Sequence, residues 1–238
     1  MNDSFTNDST ASFAASFVVH QDIRDLASAV AQRIAKLAVL AIKDRGEFSI
    51  ALAGGETPRL CYEQLRDQAI NWKRVHIYFG DERCRPCGDK QRNDVMAYET
   101  LLKFIPIPSE NIHSISAEKG ARIAATEYAA QLKPILPLDL VLLGMGEDGH
   151  TASLFPGNPA TLQELSVVPV FDAPKVPSER VSLGMESLNT TRNKIFLVAG
   201  AGKRESLKMI ASGADLPAAQ VRGAEWHVDH AAWPGKSI

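Results

Sequence analysis

Between positions 22 and 43 the apolar residues Ile23, Leu26, Ala27, Val30, Ile34, Leu37 and Ala41 recur at three- and four-residue intervals. That spacing predicts one long amphipathic helix, with Gly46 as its stop. The pattern then changes character. Short, nearly continuous apolar runs at 48–53, 75–79, 138–143 and 195–199 read as buried strands, and segments of helical spacing at 58–68, 94–104, 120–132 and 203–211 follow or separate them. Alternation of this kind predicts an α/β fold, a mostly parallel sheet with helices on both faces. No Ser/Gly linker, charge block or internal repeat divides the chain, so residues 17–238 are expected to form a single domain behind a flexible tail, 1–16. The Pro-rich piece at 167–177 reads as a long loop.

Composition adds exclusions. A chain of 238 residues, 45% hydrophobic and 23% charged, can bury a large core. Its net charge of −2 gives no general attraction to nucleic acid, so any recognition of an anion must be local. Cys61, Cys84 and Cys87 are too few for a secreted disulfide framework, which points to the cytoplasm. The opening MNDSFTNDSTASFAAS suggests neither a signal peptide nor a membrane span.

Ligands of open parallel sheets sit beyond the carboxyl ends of the strands, and four such junctions carry distinctive chemistry. After the first buried run comes AGGETP: Gly54 and Gly55 let backbone amides approach an anion, Thr57 is suited to cap, and Pro58 to open a helix. After the second comes GDERCRPC, where Asp81 is placed to hold hydroxyls and Arg83 to grip a phosphate. Cys84-x-x-Cys87 lacks the second pair that a structural zinc site needs, and the two histidines of WHVDH near the C-terminus are expected to pack and cap. The fourth junction, VAGAGK, sets Lys203 at a helix start; Arg180, heading a strand-like segment, is a further cation.

The third junction is LGMGEDGHTASLFPG. Gly144, Gly146 and Gly149 spell G-x-G-x-x-G, but Pro156, Gly157 and Pro159 leave no room for the long helix that a dinucleotide site requires. What remains is Asp148 two residues before His150 on a tight turn. An imidazole titrates near neutral pH and a carboxylate can orient it, a pairing suited to general-base hydrolysis.

In order and spacing, AGGETP, FGDERCRP with Asp89 and Asn93 downstream, LDLVLLGMGEDGHTASLFPG, RVSLGM, VAGAGKRE and WHVDHAAW resemble the 6-phosphogluconolactonase family from about Phe17 onward. The resemblance implies a modified Rossmann-like fold shared with glucosamine-6-phosphate deaminases and hydrolysis of a sugar-phosphate lactone in the oxidative pentose phosphate pathway. It further implies no metal or other cofactor, and a monomer or homodimer with no nucleic-acid or membrane partner. By that resemblance His150 activates water beside Asp148, while Gly54, Gly55, Thr57, Arg83 and Lys203 hold the phosphate and Arg180 lies near the substrate. The deaminases carry a glutamate where this chain has Phe155, an apolar ring that moves no protons. Glu56 stands where the family has a small or hydroxyl residue, and Arg92 where it has serine; Glu56 is expected to face solvent. The alternatives are a deaminase-like isomerase and a noncatalytic sugar-phosphate binding protein.

Overall fold

The computed structural model describes residues 16–235; apart from Ser16, the expected tail lies outside them. Nine strands and six α-helices run β1 (Ser16–His20), α1 (Ile23–Arg45), β2 (Phe48–Leu52), α2 (Glu56–Leu65), β3 (Val75–Phe79), β4 (Asp81–Arg83), α3 (Asn93–Thr100), α4 (Ala121–Leu132), β5 (Leu140–Leu143), β6 (Val167–Val170), β7 (Arg180–Leu183), α5 (Met185–Thr190), β8 (Asn193–Val198), α6 (Arg204–Ala211) and β9 (Glu225–Asp229). The long helix starts where its side chains dictate. Asp22 accepts from the amides of Arg24 and Asp25 at 2.8 and 2.9 Å, and Gly46, at φ 86°, ends it in the left-handed conformation that glycine adopts freely.

Six strands form a wholly parallel sheet in the order β1-β9-β8-β5-β2-β3. Central β2 and β5 are buried at every position, which explains their unbroken apolar runs. From β2 the chain steps outward to β3 on one side and returns through β5, β8 and β9 on the other, so the topological switch lies between β2 and β5. The crevice beyond their carboxyl ends is where such a sheet binds ligands.

A second, antiparallel sheet, β4-β7-β6, is sewn onto that same end. Gly80 is the stitch: its amide donates to Leu52 O at 2.9 Å while its carbonyl accepts from Leu183 N at 2.8 Å. Two expectations are corrected here. The Pro-rich loop contains β6, because Pro169 lies on an edge strand that pairs only with β7 and needs no amide on its outer side. The other concerns position 16, placed in the tail by its polar surroundings: Ser16 opens β1, held by parallel pairing with β9.

Candidate active site

A cleft of about 460 Å³ opens at the switch point, lined by residues from all four junctions and from the β6–β7 loop. On its β2 side the backbone comes close. A Cβ on Gly54 would lie 2.0 Å from Asn93 Oδ1, so only glycine leaves room for that side chain, and Gly55 at φ 111° caps α2. Thr57 does not fill the capping role set for it: α2 begins one residue earlier, at Glu56, with no side-chain cap, and Thr57 is not among the lining residues. Glu56 is exposed and bound to Arg59, consistent with a carboxylate kept away from an anion.

Asp81 is buried and already engaged. One oxygen accepts from Asn93 Nδ2 at 3.0 Å and the other from Ser153 Oγ at 2.6 Å. Its neighbour Glu82, fully buried, receives the amides of Arg83, Asn93 and Asp94 at 2.8 to 2.9 Å and so fixes the start of α3; burial pushes its carboxyl up to about 7. Arg92, where serine was expected, is buried too, bridging Asp94 and Glu118. Glu82 and Ser153 were missed as site residues, and Asn93 was noted without a role, because their partners are remote in sequence.

The cleft carries four cations: Arg83, Lys175, Arg180 and Lys203. Among the described residues none of them has a carboxylate within ion-pair distance. Arg83 and Arg180 stand directly opposite each other on the β4–β7 ladder, a like-charge arrangement that costs stability without an anion between them. Arg83 donates to Gln91 O at 2.8 Å, and Arg180 to Pro177 O and Lys175 O at 3.2 and 3.0 Å. Burial lowers the pKa of Arg180 against the opposing charge of Asp81, with Arg83 adding to the fall, and burial likewise lowers that of Lys203 against the charge of Glu147. Lys203 closes a single 3-10 turn before α6, and Gly200 ahead of it is anchored by Asp229 of the WHVDH motif, whose carboxylate accepts its amide at 3.0 Å. Of the packing and capping expected of that motif's histidines, His227 packs, its Nδ1 2.9 Å from His20 Nε2, while the contact to the turn is made by Asp229.

His150 completes the floor. Its Nδ1 lies 2.5 Å from Asp148 Oδ1, so the carboxylate holds the proton on Nδ1 and leaves Nε2 as the basic nitrogen. A Cβ on Gly146 would sit 2.0 Å from that Nδ1 and 2.4 Å from Asp148 Oδ1; the glycine makes room for the pair. Burial lowers the pKa of His150 against the opposing pull of Asp148, so the ring is neutral at pH 7. Phe155 packs on it with centroids 4.4 Å apart, and the Arg180 guanidinium lies 5.5 Å from the far-reaching Phe155 ring centre. Ala152, next along, is held at φ 47°, a strained conformation for a residue with a Cβ. No long helix follows the glycines; the next is the 3-10 turn Pro159–Leu162.

A basic nitrogen beside unpaired cations, at the switch point of a parallel sheet, defines an α/β enzyme for a small anionic substrate. The family model described as glucosamine-6-phosphate isomerases/6-phosphogluconolactonase matches residues 21–232, and the chain belongs to that family. It is 35% identical to a 6-phosphogluconolactonase of Streptomyces coelicolor, covering 90% of this chain and 92% of that protein. It is 34% identical to one of Mycobacterium tuberculosis, covering 91% and 96%. The solved 6-phosphogluconolactonase of Thermotoga maritima superposes with TM-score 0.85 at 29% identity, over 90% of this chain and 99% of its own. A monomeric glucosamine-6-phosphate deaminase, at TM-score 0.80 and 18% identity, covering 91% and 98%, shares the fold.

Proposed function

We propose that the chain hydrolyses 6-phospho-D-glucono-1,5-lactone to 6-phospho-D-gluconate, the lactonase step of the oxidative pentose phosphate pathway, with water activated by His150. The observation that carries this reading is the Asp148–His150 pair at 2.5 Å in a cleft with four unpaired cations. Nε2 takes a proton as the water oxygen adds to C1; the C1–ring-oxygen bond then breaks and the ring oxygen leaves with a proton. The new carboxylic acid ionises, so one proton is released per turnover. General-base assistance of this kind contributes roughly 100- to 10,000-fold. The phosphate, distant from C1, is held by the amides at Gly54 and Gly55 together with Arg83 and Lys203, and fixes the lactone relative to the ring. Asp81 and Arg180 also line the cleft, and we assign them to the sugar. The cytoplasm is the compartment that suits three free cysteines.

Phe155 disfavours the deaminase alternative: it is buried against His150, in the place where the deaminases have a glutamate, and offers no proton relay. Proton release on addition of fresh 6-phosphogluconolactone, compared with spontaneous opening, tests the proposal. Acceleration is expected. Ammonia release from glucosamine 6-phosphate instead would overturn it, and binding without acceleration of either reaction would leave a noncatalytic sugar-phosphate binder.

A further inference from the structure

Lys175 has no part in the phosphate cage drawn from the sequence, yet it lines the cleft. It lies on the loop between β6 and β7, an exposed residue beside the exposed Val176. Nothing on the protein claims its charge: among the described residues its ammonium has no carboxylate partner. Lys203 lines the same cleft, near enough to feel the charge of Lys175, with Glu147 and Asp148 acting on it in the opposite sense. The backbone beneath Lys175 is fixed by Arg180, whose guanidinium donates to the carbonyls of Lys175 and Pro177. A flexible lysine on an anchored loop loses less freedom on binding than one on a mobile loop.

We propose that Lys175 is a substrate-recognition residue whose ammonium joins that of Lys203 on the phosphate group, with Arg180 acting behind it as the positioning residue that holds its loop at the cleft. The inference rests on the lactonase reading for the identity of the substrate, but the chemistry it invokes is that of a phosphate monoester. Such a group carries a charge of about −1.5 to −2 at pH 7 spread over three acceptor oxygens, so a third cation beside Arg83 and Lys203 still finds an oxygen to bind. Charge-assisted hydrogen bonds of this type contribute on the order of tenfold or more in affinity.

Because Lys175 is exposed, Lys175→Ala and Lys175→Gln remove the charge with little risk to folding. Calorimetric titration with inorganic phosphate and with 6-phosphogluconate is expected to show both ligands bound roughly tenfold more weakly by either variant. In kinetics, the preference for the phosphorylated over the unphosphorylated lactone should fall by a similar roughly tenfold factor, through KM rather than kcat, with Lys175→Arg restoring most of it. Arg180→Lys keeps a cation in the cleft but loses the hold on the two carbonyls; a loss of phosphate affinity that adds little to that of Lys175→Ala marks positioning, and a fully additive loss marks direct contact and overturns the positioning role. Unchanged phosphate affinity and unchanged preference in Lys175→Ala would overturn the inference, as would a fall in kcat at constant KM. The two readings separate cleanly. A wild-type protein that binds phosphate through Lys175 but opens no lactone sinks the function and keeps the site, whereas lactone hydrolysis with phosphate affinity indifferent to Lys175 does the reverse.

Discussion

His150 and His227 each meet a side-chain partner, and the difference between their surroundings separates a site from a scaffold. In the cleft, His150 meets a carboxylate at 2.5 Å and keeps its side chain 19% exposed. At the β1–β9 edge, His20 Nε2 meets His227 Nδ1 at 2.9 Å with both side chains 7% exposed. Burial lowers the pKa of both His150 and His227, the latter to about 4, where the neighbouring His20 adds to the effect. Desolvation alone therefore marks neither as reactive. What distinguishes His150 is a carboxylate at hydrogen-bond distance from one nitrogen and an open cleft at the ring; His227 bonds an imidazole, its nearest carboxylate, Glu225, stands off at 3.8 Å, and both imidazoles are walled in by the sheet.

The contrast breaks first at His150. His150→Ala should lose roughly 100- to 10,000-fold in kcat, measured as proton release, with phosphate binding retained; near-wild-type turnover would refute the base assignment. Gly146→Ala tests the geometry without touching either partner, since its Cβ must displace the pair, and a loss on the order of 100-fold is expected. Asp148→Asn should cost roughly 10- to 100-fold, the worth of a charge-assisted hydrogen bond. It also carries a signed pH effect. The wild-type rate should rise through a pKa below the ordinary histidine value, and without the Asp148 charge that limb should move to lower pH still; a shift upward would show that the carboxylate does not act on this ring.

His227→Gln sharpens the other side and should leave turnover within about twofold. Because folding depresses the pKa of His227, the unfolded chain binds the extra proton between about pH 4 and 6.5, and stability from this group is lost as pH falls through that window. Glu82, raised to about 7, works in the opposite sense, so the difference between wild type and variant is the readout. In urea unfolding, going from pH 5 to pH 7 should raise the stability of the variant less, or lower it more, than that of wild type.

The junction chemistry was legible because each piece is local. Asp148 and His150 sit two residues apart on one turn, and Gly54 and Gly55 follow directly on a buried apolar run. The second sheet was not, since β4 reads Asp-Glu-Arg, a solvated loop by composition, until Ser182 and Val181 supply its partners. The same reason hid Glu82 and Ser153: a carboxylate that caps α3 eleven residues on, and a hydroxyl reaching Asp81 across 72 residues, leave no periodic trace. Thr57 failed for a subtler cause. Gly55 at φ 111° allowed the helix to start sooner, and the threonine was carried into its first turn.

The facing arginines of the β4–β7 rung set two like charges against each other, with the Asp81 charge acting the other way on Arg180. Any oxyanion lodged between them relieves that opposition, so melting temperature should depend on buffer choice, rising from an organic amine buffer to millimolar phosphate or sulfate by RT ln(1 + [L]/Kd). A melting temperature that tracks the anion in the buffer would place part of this protein's sturdiness in the solute it holds.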